Sequence, residues 1–477
     1  MDYLKTLFLI VILLTSFIFN SSKLYAQLGN SNMYLLSNLD QYGSGYSACW
    51  GYRAPNGREY AILGCYSGTS FVDITDTANI HEVDFLPLPS GISSSDGGNG
   101  WREMKVFSNY AYIVSEAPLS GAGSSGVQIA DLQYLPDSIR YVGKYLAPAH
   151  TRTHSISQSG PYLYLNGANT GFVMNSGIAV LDLTSNPQVP VLRGKWQSQY
   201  VHDCRVLNDT IWACNIYNPP GTISIINATN KNNLQTITSW VNNPNPFPHN
   251  CAITTDRRYI LTTDETSTPN GKLKVWNIQN IFNVQFVTNW MPTGITTSIV
   301  HNVEIYGNYA VVAHYTAGVR VVNITNPASP QEAGWYDTYP SSNGNTYNGC
   351  WGVFTFPSGK IIGSDRTFGL FVLKTTFNIT SSQGNNENIP KDFSLKQNYP
   401  NPFNPSTTIE YSLPKNGHVS IKVYDILGRQ AATLVDEYKT AGDHHIKYDA
   451  VNLSSGVYFY KLDAEGFSQT KKMNLIK

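Results

Sequence analysis

Apolar and polar residues alternate along most of this chain, in short runs closed by Gly, Asn, Asp or Pro. Such runs read as β-strands with one buried face. The stretch Val300–Tyr339 shows the unit most plainly. His301–Ile305 alternates, Gly307–Asn308 turns, and Ala310–His314 alternates again. Ala317–Gly318 turns, Val319–Ile324 is a β-branched run, Asn326–Pro327 breaks it, and Gln331–Tyr336 closes the unit. A four-stranded antiparallel meander cannot bury both faces alone, so it needs copies of itself as neighbours.

Copies recur about every fifty residues, with heads at Trp50, Trp101, His154, His202, His249, His301 and Trp351. Second strands read YAILGC, YAYIVS, YLYLNG, IWACNI, YILTTD, YAVVAH and KIIGSD. Third strands include TSFVDIT, SGIAVLDL, GKLKVWNI and AGVRVVNI. The expected fold is therefore an all-β, seven-bladed β-propeller. The last unit, Gly349–Lys374, has three strands, and Ser31–Tyr42 resembles a fourth strand with no partners before it. The N-terminal strand is expected to complete the last blade and close the ring, which removes two open sheet edges.

Periodicity stops at 378–390, a polar segment read as a linker. Residues 391–477 resume alternation in TTIEYSLP, HVSIKVYDILG, HHIKYDA, GVYFYKL and KKMNLIK, the pattern of a small immunoglobulin-like β-sandwich. Ahead of the repeats, Lys5, the apolar run Leu7–Phe19 and Tyr25–Ala26 read as a secretory signal peptide, with cleavage after Ala26. The expected division is 1–26 signal peptide, 27–377 propeller, 378–390 linker and 391–477 C-terminal domain.

Formal net charge is zero, which gives no electrostatic case for nucleic acid or an anionic membrane. No segment beyond the leader is long and apolar enough for a transmembrane helix, so none is expected in the mature chain. Six cysteines in an exported chain permit disulfides. Cys49 with Cys65 and Cys204 with Cys214 flank hairpins; Cys49 with Cys350 and Cys204 with Cys251 share registers; buried thiols are the third alternative.

The tail motifs QNYPNPFNPSTTIEYSLP, VYDILGR, LSSGVYFYKL and KKMNLIK resemble the type A sorting domain of the type IX secretion system. That resemblance implies the type IX machinery as a partner, passage through the outer membrane of a Gram-negative bacterium, and removal of the tail. It implies a protein that is secreted or held at the cell surface. The repeats WREMKVFSNYAYIVSEA, HNCAITTDRRYILTTDE, VHNVEIYGNYAVVAHYTAGVRVVNI and NGCWGVFTFPSGKIIGSD resemble the choice-of-anchor B family, built from LVIVD-type propeller repeats. The resemblance implies architecture and location and supplies no reaction.

Candidate chemistry lies in one register. His154, His202, His249 and His301 head four consecutive units, in a chain with ten His. That position faces or rims a propeller's central channel. Converging neutral imidazoles suit a transition metal such as Zn, Cu or Fe. On that reading Glu103 and Asp203 orient the imidazoles or act as acid and base. The same register also suits a packing and ligand-binding rim, with Trp50, Trp101, Arg102, Glu103, Asp203, Asn250, Asn302 and Trp351 as its members. No HExxH, CxxC, GxSxG or P-loop is present, and no spacing singles out a catalytic carboxylate pair. Two functions follow from the sequence. One is a surface or secreted binding module for an extracellular glycan, peptide or small molecule. The other is a metal-dependent enzyme centred on the four His.

Overall fold

The computed structural model describes residues 29–93, 100–119, 123–217, 219–244, 246–267, 271–379, 392–414, 417–439, 442–464 and 466–477. The expected signal peptide and almost all of the expected linker lie outside the described residues.

The chain is all-β, with a single short 3-10 turn at Met174–Ser176 among the described residues. Up to Thr375 the strands form successive four-stranded antiparallel sheets, as in a β-propeller; most are built from strands consecutive in sequence, but the last takes Met33–Leu39 from the N-terminal segment and the one before it carries a fifth strand, Asn30–Ser31. The first strands are Tyr46–Arg53, Arg102–Phe107, Ser155–Ser159, Asp203–Leu207, Pro248–Ile253, Val303–Tyr306 and Cys350–Thr355. Each lies against the next, and Cys350–Thr355 lies against Tyr46–Arg53. Hairpin turns set the register: Gly307, at φ +57°, joins Val303–Tyr306 to Tyr309–Ala313.

Burial follows strand order. The third strand Val319–Asn323 is buried at all but its last residue, whereas the fourth strand His81–Pro87 is largely half-exposed. Apolar clusters form between neighbouring sheets. Ala252, Leu261 and Val275 pack with Val303, Ala310 and Val312 of the next sheet. Each fully buried Val or Leu contributes about 1.5–3 kcal/mol, so neighbouring sheets hold one another in place.

The N-terminal segment is divided where the sequence suggested one strand. Met33–Leu39 pairs antiparallel with Gly369–Thr375, and Met33 is buried against Val311, Val321 and Leu373. Asn30–Ser31 instead pairs with Trp335–Tyr336 of the preceding sheet. Asn32, at φ +53°, makes the break, a conformation Asn tolerates better than most residues.

The six cysteines are buried free thiols, the third of the alternatives above. Burial pushes the Cys49 and Cys65 thiols up to about 12.

In the tail, Ser394–Leu395, Ser406–Leu413 and Gly442–Asp449 form one sheet, and Gln430–Lys439, Gly417–Tyr424, Gly456–Ala464 and Phe467–Leu475 form another. Ile409, Tyr411, Val419, Ile421, Leu462 and Met473 share a core, which gives a sandwich. In the Pro-Asn-Pro run, Phe403 is buried, and Asn398 Nδ2 donates to Pro400 O and to Thr407 Oγ1.

Candidate functional site

An antiparallel hairpin brings the end of its second strand beside the head of its first. His154 N donates to Asn166 O, His202 N to Cys214 O and His301 N to Ala313 O, so these heads sit at one level of their sheets. His249 lies within the strand Pro248–Ile253, beside a bulge. The imidazoles form a continuous arc. Ring centroids are 3.9 Å apart for His154–His202, 4.2 Å for His202–His249 and 4.3 Å for His249–His301. Trp351 continues it at 4.9 Å from His301.

The arc forms the floor of a cavity of about 350 Å³. Tyr200, Glu116 and Glu265 wall it, and Trp101, Leu119 and Tyr217 stand at its mouth, 38 %, 44 % and 65 % exposed. Glu116 Oε1 is 2.8 Å from His154 Nδ1. Glu265 reaches two imidazoles, with Oε2 at 3.4 Å from His249 Nε2 and Oε1 at 3.7 Å from His301 Nε2. Tyr315 Oη donates to Glu265 Oε1, and His301 Nδ1 donates to Trp351 O. The Nδ1 atoms of His202 and His249 are buried without a hydrogen-bond partner.

Charge divides this floor in two. Burial, together with the neighbouring imidazoles, holds His202, His249 and His301 well below the ordinary value of 6.5, so they are neutral. His154 is also penalised by burial, but the hydrogen bond and charge of Glu116 raise it above 6.5. Burial opposes ionisation of Glu116 too, yet His154 draws its carboxyl below the usual value. Each partner thus favours the charged form of the other. Burial pushes Glu265 and Glu103 up to about 7, with Tyr315 acting the other way on Glu265 and Lys105 on Glu103.

The register singled out the four His and placed Trp101, Arg102, Glu103, Asp203 and Trp351 beside them, and all line this cavity. Arg102 is 1 % exposed and its Nε donates to Cys65 O. Asp203 does not serve an imidazole. It accepts from Ser157 Oγ at 3.2 Å, from Cys204 N at 2.7 Å and from Asn250 Nδ2. Asn250 Oδ1 takes Val303 N, so this network ties neighbouring sheets together.

Trp50, Asn250 and Asn302 are not part of the cavity, and Asn250 lines the separate cavity that Trp50 also lines. Trp50 lines a separate cavity of about 250 Å³, with Lys105 Nζ 3.5 Å from its ring centroid. Its register differs: Trp50 lies opposite Ile62 inside its strand, whereas Trp101 O takes the N–H of Glu116, just past the second strand. Asn302 Oδ1 is buried without a hydrogen-bond partner.

Glu116, Glu265 and Tyr315 are contacts of the His arc that the strand heads did not reveal. A common signal marks them: each leaves the C-terminal end of a second strand, after Tyr110–Ser115, Tyr259–Asp264 and Tyr309–Ala313. Asp264 anchors Glu265 from the neighbouring position through Lys274 Nζ, 2.7 Å away.

Comparison with known proteins gives two family matches. Residues 397–476 match the family described as secretion system C-terminal sorting domain, and residues 299–338 match the LVIVD repeat. The type IX sorting tail indicates a secreted or cell-surface protein with the type IX machinery as a partner. Among the described residues, no helix is long and apolar enough to cross a membrane. No curated protein matches the chain.

Among solved structures, PorZ of Porphyromonas gingivalis is described as an essential bacterial surface component of the type IX secretion system. It is similar at 13 % identity and a TM-score of 0.44, over 89 % of this chain and 59 % of PorZ. This chain thus spans 59 % of the length of PorZ. A Lactobacillus plantarum protein is 9 % identical over 84 % of this chain and 98 % of its own, at a TM-score of 0.47. The computationally designed Ika8 protein is 13 % identical over 71 % of this chain and 98 % of its own, at 0.43. Likeness at these levels says nothing of ligand or activity.

Proposed function

We propose that this chain is a type IX-exported binding protein of the choice-of-anchor B kind, whose ligand enters the cavity floored by the His arc. The propeller has seven blades and spans 27–377. Met33–Leu39 completes the last blade, and its pairing with Gly369–Thr375 supports that closure. A signal peptide over 1–26, a linker over 378–390 and a removable tail over 391–477 complete the export design. The mature protein acts outside the outer membrane of a Gram-negative bacterium.

One observation carries the binding role. Sheets far apart in sequence deliver aromatic and titratable side chains to a single concave site, and its rim residues Trp101 and Tyr217 remain exposed. Exposed aromatics give stacking surface, and the polar floor gives orientation. An extracellular glycan or short peptide matches that combination. Glycan and peptide arrays probed with the mature chain, in parallel with Trp101→Ala and Tyr217→Ala, test it. Hits that both variants lose support the reading; hits that both retain, or none at all, overturn it.

A further inference from the structure

We propose that the cavity floor is a mononuclear site for a divalent transition metal, held by His202, His249, His301 and Glu265, with His154 outside the ligand set. The inference deepens the binding role above and rests on the cavity being the functional site. It revises the ligand set suggested by the sequence, exchanging one imidazole for a carboxylate.

Spacing is the main reason. Two donors on a tetrahedral ion with bonds of about 2.0–2.1 Å stand roughly 3.4 Å apart. His249 Nε2 and Glu265 Oε2 are 3.4 Å apart, and His301 Nε2 faces the same carboxylate, 3.7 Å from its other oxygen, Oε1. Both are long for a direct hydrogen bond between these groups. One donor atom from each of His202, His249 and Glu265 falls within 4.8 Å of the others.

Orientation is the second reason. His301 Nδ1 donates to Trp351 O, which fixes the tautomer and turns the lone pair of Nε2 toward Glu265. Tyr315 Oη holds Glu265 Oε1 and leaves Oε2 for an ion. These are the outer partners that metal-bound imidazoles and carboxylates commonly have. His154 is left outside because its carboxylate partner is Glu116, 2.8 Å from its Nδ1, whereas Glu265 faces His249 and His301.

Three neutral nitrogens and one carboxylate oxygen suit borderline ions of the zinc, cobalt and iron class and disfavour calcium and magnesium. The open side of the cavity, toward Trp101 and Tyr217, leaves room for an outside ligand on the ion.

The test uses the full mature chain, stripped with a chelator and titrated with Co²⁺, read by d–d absorption and by metal analysis after desalting. About one ion per chain is expected, with affinity lowered about 100-fold or more in His249→Ala and Glu265→Gln, and about 10- to 100-fold in Tyr315→Phe. His154→Ala should bind cobalt like the parent. Melting curves identify any variant that has unfolded, and Tyr315→Phe, which removes only a hydroxyl, covers that case. Substoichiometric cobalt, or binding unchanged in both His249→Ala and Glu265→Gln, overturns the inference. Repeating the arrays in chelator separates it from the binding role. Hits that persist in chelator and vanish in Trp101→Ala leave the cavity standing without a metal, whereas cobalt binding without array hits does the reverse.

Discussion

Glu116 Oε1 lies 2.8 Å from Nδ1 of His154, linking the end of a second strand in one sheet to the head of the first strand in the next. The pair spans the boundary between two sheets and removes one of four similar imidazoles from the neutral group.

Its contribution depends on pH in a defined direction. His154 sits above 6.5 in the fold, so its share of stability is present below 6.5 and lost as pH rises through the raised value. Glu116 sits below 4.5, so its share is present above 4.5 and lost as pH falls through the lowered value. Glu116→Gln should therefore cost most near pH 5.5, about 1–2 kcal/mol in urea unfolding. The cost should shrink as pH rises through the raised value, where His154 loses its proton.

His150 responds to pH by itself. It is 2 % exposed, stacks on Phe172 at 4.4 Å between centroids, and its Nε2 contacts Thr153 Oγ1 at 2.8 Å. Burial, helped by the charge of Lys195, depresses it to about 4. The unfolded chain takes up this proton below 6.5 and the folded chain does not, so stability falls as pH drops from 6.5 toward 4. The loss attributable to this group is about 3 kcal/mol. His150→Phe should flatten the pH dependence of unfolding over that interval by a comparable amount. His314, depressed to about 3, adds a slope of the same sign.

Ring closure has its own test. Met33 is 2 % exposed in the core shared with Val311, Val321 and Leu373. Met33→Ala should destabilise the propeller by about 2–4 kcal/mol in a thermal melt. A cost below about 0.5 kcal/mol would mean that the N-terminal strand is not docked.

The strands and the His register could be read from the chain because both arise locally. Alternation within a few residues makes a strand, and each head is followed at short range by its own hairpin. The partners of those heads are a different matter. Glu265 meets His301 only because the next sheet packs against its own, and no pattern within a single strand or hairpin encodes that approach. Trp50 shows the opposite error. Fifty-residue spacing put it level with the His, but Trp50 lies opposite Ile62, well inside its strand, and lines another cavity. Asp203 looked like an imidazole partner by adjacency; side-chain alternation along a strand turns it toward Ser157 and Asn250 instead.

Anomalous diffraction from crystals of the mature chain soaked in Co²⁺ measures most directly whether donor atoms from separate sheets meet at one point. The account predicts one strong peak within about 2.0–2.2 Å of imidazole nitrogens of His202, His249 and His301 and of the Glu265 carboxylate. A map with no peak there, or with cobalt only on surface histidines such as His81 and His418, would contradict it.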